Sequence, residues 1–114
     1  METGPAELIA DLDAALLAYG EDVVFQTITV DTEGAETVAA EQGCRASVRS
    51  SLPQDLLEGQ RESQVIVSPT GLGSFGVPVK DTRILIAGAP ANVETIDPIR
   101  VNGVLVRVNL VCRG

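Results

Sequence analysis

Residues Ile96–Gly114 read IDPIRVNGVLVRVNLVCRG, and this stretch decides the fold. Asn102-Gly103 stands between Val101 and Val104. Both central positions of a two-residue hairpin turn want positive φ, which Asn and Gly tolerate best. Beyond the turn, Val104, Val106, Val108, Leu110 and Cys112 fall on one strand face, and Leu105, Arg107, Asn109, Val111 and Arg113 on the other. The first face predicts a core. The second is half apolar and half basic, a composition that suits a subunit contact better than open water. A two-residue turn pairs Ile99 with Val106 and Asp97 with Val108. The latter pairing sets a carboxylate against a valine, and Pro98 has no N–H for the ladder. A bulge at Asp97–Pro98 would turn Asp97 outward and admit Ile96.

Working back from the hairpin, more short strands appear. RILIAG (Arg83–Gly88) reads as a strand cut by Gly88-Ala89-Pro90, with NVETI (Asn92–Ile96) after it. SQVIVSPTG (Ser63–Gly71) is a strand stopped at Pro69. CRASVRSS (Cys44–Ser51) alternates Cys44, Ala46 and Val48 against Arg45, Ser47 and Arg49, a half-buried strand with its charges outward. DVVFQTITV (Asp22–Val30) is β-rich in composition. Three segments read as loops: the acidic residues 31–43, the proline-broken residues 51–60, and the glycine-rich residues 71–80. The first is a loop or a mobile hairpin tip. In the last, Phe75 is the one large side chain, a plug onto its own core or a contact knob.

The N-terminal segment, residues 5–19, predicts a helix. Pro5 suits the first helical position with Gly4 or Thr3 as cap, Leu8, Leu12, Leu16 and Tyr19 recur at helical spacing, and Gly20 is the natural terminator. One helix and six or seven short strands make a single mainly-β domain over residues 1–114: a small antiparallel barrel or sandwich, residues 22–112, with an attached helix and long loops.

Composition narrows the functions. Aromatics are 3% of the chain, so the core is aliphatic. Net charge is −8, unevenly placed: residues 1–43 hold ten acids and no Lys or Arg, residues 44–114 six acids and eight bases. Such a chain repels phosphate backbones and has no stacking platform, which argues against sequence-specific nucleic-acid binding and against a basic membrane face. No run approaches a membrane span. The opening METGPAELIADLD lacks the basic segment of a signal peptide, which predicts synthesis and use in a cytoplasm. Cys44 and Cys112 read as small buried hydrophobes rather than a disulfide scaffold.

Catalytic signatures are missing from the sequence. It contains no His, so no Ser-His or Cys-His pair, and no C-x-x-C. Gly71, Gly73 and Gly76 have the spacing of a phosphate loop, but Pro69-Thr70 precedes them and Val77-Pro78 follows, so no helix is expected to open there. Asp11 and Asp13 lack the glycine and distal glutamate of a calcium loop. The expectation is a non-enzymatic protein without metal or cofactor.

The C-terminal half carries a resemblance. SQVIVSPTGL, followed by VPVKDTRILIAGAPANVETIDPIRVNGVLVRVNLVCRG, resembles the small head-closure (head–tail joining, neck) proteins of tailed bacteriophages and gene transfer agents. The shared elements are a strand ending in SPTGL, a Pro-Val-Lys-Asp turn, a strand–Gly step, and a Val-x-x-Ile-x-Pro-Ile-x-x-x-Gly hairpin closing on a terminal strand. The resemblance implies a virion protein assembled in the host cytoplasm, a β-barrel whose copies form a ring at the head–tail junction, with roughly six- or twelve-fold symmetry. The portal or adaptor would lie above it and the tail terminator or tail tube below, with DNA passing through the lumen without sequence-specific contact. Leu105, Arg107, Val111 and Arg113, with Arg45 and Arg49, would face the next subunit. Glu33, Glu36 and Glu41 on one loop, and Leu72, Phe75 and Val77 on another, would reach into the lumen or onto a partner. The alternatives are a tail-completion or tail-terminator ring protein and a host barrel that binds a small ligand or peptide.

Overall fold

The computed structural model describes residues 4–50 and 62–114; the expected loop at residues 51–60 and the Thr3 cap lie outside them. α1 spans Pro5–Tyr19, and the strands are β1 (Glu21–Val30), β2 (Glu36–Ser50), β3 (Glu62–Val67), β4 (Arg83–Ile86), β5 (Ala89–Val101) and β6 (Val104–Arg113). A short helix, α2 (Pro69–Leu72), and a 3-10 turn (Gly73–Phe75) follow β3. The strands close into an antiparallel barrel in the order β1-β2-β3-β6-β5-β4. Closure selects the barrel over the sandwich and gives every core strand two neighbours.

The final hairpin forms as its sequence predicts. Asn102 and Gly103 take φ of 52° and 77°, and Val101 pairs with Val104. The register differs, however. Asp97 pairs with Asn109, Pro98 with Val108 and Ile99 with Arg107, and the ladder then steps to Arg100 against Leu105. Bulges therefore stand at Val106 on β6 and, where Val93 pairs with Cys112 and Thr95 with Val111, at Glu94 on β5, not at Asp97–Pro98. The Glu94 bulge has the effect expected of one at Asp97–Pro98: Asp97 is exposed and Ile96 packs on the core. The effect of the Val106 bulge on β6 was not foreseen. Leu105, expected on the outer face, packs against the barrel core. Val106 is buried but leaves that core and lies with Leu8 and Leu12 of α1. One extra residue inverts the alternation between Val104 and Arg107.

The barrel interior is filled. Phe25, Val65, Val67, Ile84, Val93 and Val108 are fully buried, with Leu72 lowered onto them from α2. Phe75 closes the same side, its ring 6.2 Å from Phe25. The segment read as a loop from Gly71 thus begins as helix: Ser68 Oγ accepts the Thr70 N–H at 3.3 Å and caps α2. Gly71 lies so close to β2 that a Cβ there would be 2.8 Å from Cys44 Cβ.

Two further boundaries move. Ala87 and Gly88, at φ 52° and 82°, make a tight turn, and Ala89-Pro90 already belongs to β5, paired with β4. More consequentially, residues 36–43 are strand rather than loop. Glu36 to Ala46 pairs with Val30 to Glu21, so the connection shrinks to Asp31–Ala35. There Asp31 Oδ1 accepts the N–H groups of Glu33 (2.8 Å) and Ala35 (2.9 Å), and Gly34 supplies φ 86°.

Candidate subunit interface

β4 is only four residues long, and its length shapes the surface. Arg83 pairs with Gln26 of β1 on one side and with Asn92 of β5 on the other. Both neighbours therefore run on past the same end of β4. β1 continues as Thr27–Val30, paired only with β2, and forms a two-stranded arm that extends about 13 Å at ~3.3 Å per residue. The molecule is correspondingly elongated, 56 × 35 × 23 Å.

The arm is acidic and partly apolar. Val30 is 63% and Val38 46% exposed, with Ile28 opposite Val38. Glu33 is exposed at the tip. Glu36 is held by Arg83 Nη2 at 3.0 Å, and Glu41 accepts from Gln26 Nε2 at 3.2 Å. Glu33 and Glu36 thus lie on the arm and Glu41 at its base, and of the three only Glu33 is without a side-chain partner among the described residues. The second expected set separates: Leu72 is 2% exposed in the core, and Phe75 and Val77 pack against it half-buried. For Leu72 the outward placement is corrected, because α2 turns the side chain inward.

α1 forms the second surface feature. It packs on β6 and β2 and touches α2 through the Thr70 Oγ1 bond to Asp13 Oδ2 at 2.8 Å. Leu16 is its buried anchor, whereas Tyr19, expected on the same stripe, is 91% exposed. Gly20 ends the helix in an extended conformation (φ −83°) instead of the left-handed one. Glycine is required there by crowding: a Cβ would be 2.5 Å from the Leu16 carbonyl oxygen and 2.8 Å from that of Ala46.

Arg45 turns inward to this helix end. Its Nε donates to the Leu16 carbonyl at 3.2 Å, and its Nη2 to Leu17 at 3.2 Å and Gly20 at 2.6 Å. Nη1 reaches Asp22 at 3.3 Å. α1 has no basic residue in its last turn, so Arg45 supplies the cation its C-terminus lacks. Arg113 also has partners within the chain, lying 3.9 Å from Glu62 and 3.8 Å from Glu94. Arg49 and Arg107 are exposed and make no ion pair among the described residues. Val111 is half-buried on the outer face. Of the six residues expected to face a neighbour, the structure leaves Arg49, Arg107 and part of Val111 and Arg113 on the surface.

Between α1 and the β5–β6 hairpin runs a groove of about 260 Å³ lined by Leu8, Leu12, Ile99, Val101, Val106 and Arg107. Sequence reading missed both the groove and the exposed arm valines. The alternation of Ile28 and Val30 before Asp31, with Val38 after Gly34, was the available signal for the arm. Burial also pushes the Cys44 and Cys112 thiols up to about 11, with the nearby Asp22 carboxylate adding to the effect at Cys44; both are free thiols. Comparison with protein-family models finds no matching family, and no curated protein matches significantly.

Proposed function

We propose that this chain is a structural subunit of a phage or gene-transfer-agent neck: copies form a ring between portal and tail, close the DNA-filled head and present the tail attachment surface. The observation that carries the reading is the arm. A two-stranded ribbon outside a barrel has marginal stability in water, and this one exposes two valines. A contact with a neighbour gives such an element its reason. The predominance of acid in residues 1–43 suits a lumen through which DNA slides without adhering. The filled interior gives less support to a host barrel that holds a small ligand inside. The resemblance over the C-terminal half supplies the assembly in which such a subunit belongs.

Gold-labelled antibody on intact particles, viewed by electron microscopy, tests the proposal. Label at the head–tail junction is the expected result. Label at the tail tip, or on no particle, would overturn it.

A further inference from the structure

We propose that the groove between α1 and the β5–β6 hairpin receives the β1–β2 arm of a second copy of this chain; the inference deepens the ring reading and rests on it for its biological setting. The two surfaces match in chemistry. The groove offers the half-buried Leu8, Leu12, Ile99 and Val101 over a floor of buried Val106, and the arm offers Val30 and Val38, which its own chain leaves exposed. Removing both apolar sets from water favours the contact.

Charge gives the pairing its direction. Residues 27–43 carry Asp31, Glu33, Glu36 and Glu41 and no base. Arg107 borders the groove, is exposed, and has no ion pair among the described residues. Asp31 is occupied by its own turn and Glu36 by Arg83, so Glu33 at the tip is the acid with a side chain to spare. On the other wall, Glu7 and Asp11 adjoin Leu8 and Leu12 along α1 and are exposed. Like charges exclude the acidic tip from that wall, so it seats on the hairpin side over Arg107. Arm and groove are different surfaces of the same chain. Their contact is therefore heterologous, the kind that generates a ring when the rotation closes.

The test uses the full chain with a photo-crosslinking amino acid replacing Val38, an exposed position, in an equal mixture of isotopically heavy and light protein. Irradiated purified protein and irradiated particles are digested and read by mass spectrometry. Heavy–light products joining position 38 to residues 5–16 or 96–107 are expected. Arg107→Glu should lower their yield about tenfold, and Glu33→Arg in that background should restore it. Only heavy–heavy and light–light products, crosslinks to another protein, or no crosslink in either preparation would overturn the docking. Crosslinks between copies at other positions would also overturn it yet leave the ring standing. Particles without gold label would remove the neck reading whatever the crosslinks show.

Discussion

Replacing Arg45 by alanine separates a helix clamp from a subunit contact. In the folded chain its guanidinium donates to three carbonyls at the end of α1, at 3.2, 3.2 and 2.6 Å. Bonds from a charged donor are worth about 1.5–3 kcal/mol each when sheltered. Here the side chain is 36% exposed, so solvent screening brings each down to about 1 kcal/mol. Its pair with Asp22, itself 85% exposed, adds ~0–1 kcal/mol. The expected loss for Arg45→Ala is about 3–4 kcal/mol. At about 4 °C per kcal/mol for a chain of this size, the melting midpoint falls by about 12–16 °C. Arg45→Lys keeps the charge but loses the fork, and should cost about half as much. Asp22→Ala should stay within about 0.5 kcal/mol. Thermal and urea unfolding followed by circular dichroism give the free energies, and hydrogen exchange of the α1 amides locates the effect. A midpoint for Arg45→Ala within about 1 °C of the parent, with particle incorporation lost, would refute the clamp and return Arg45 to the subunit contact that its strand position suggests.

Other substitutions probe the same geometry. Gly20→Ala pushes a methyl into two backbone carbonyls and should destabilise by about 1–3 kcal/mol in urea unfolding; a neutral result would mean that α1 does not end against β2 as described. Leu105→Asp should be far more damaging than Arg107→Glu, because the bulge sends Leu105 to the core and leaves Arg107 on the surface; equal melting curves would place the bulge elsewhere. Val106→Asp should also lower the melting point, with the first loss of protection in α1, since Val106 packs under that helix. The thiols give a pH signature. Folding raises both pKa values from 9.0 to about 11, so the folded chain keeps protons that the unfolded chain has lost. Stability is thus full below about pH 9 and declines as pH rises toward 11. Alkylation at pH 8.5 should be slow in buffer and fast in urea, and equally fast labelling in both would contradict the burial of Cys112.

Local chemistry was legible wherever it was self-sufficient. Asn102-Gly103 specified its turn, Pro5 opened α1, and the alternation of Cys44, Ala46 and Val48 placed Ala46 in the core. The candidate interface was less legible. Arg45 and Arg113 read as outward basic residues, and they are outward relative to their strands. What lies outside those strands is the end of α1 in one case and Glu62 and Glu94 in the other. No spacing rule connects Arg45 to Leu16 across so many residues. The strand at residues 36–43 was hidden for a related reason. Its Ala, Glu and Gly content has weak β preference, and the ladder with β1 overrides that preference by satisfying the backbone.

By itself, then, the amino-acid order determined an aliphatic, mainly-β chain with an N-terminal helix, a tight C-terminal hairpin and an acidic first third. Turn dihedrals, strand alternation and charge depend on neighbours in sequence, and so can be read there. Tertiary structure alone decided the closure of the barrel by the short β4, the bulge at Val106 that exchanges the roles of Leu105 and Val106, the inward turn of Leu72, and the groove beneath α1. Each of these depends on which distant segment becomes a neighbour. That choice is settled by filling the core and pairing every buried backbone group at once, a condition on the whole chain that no local stretch contains.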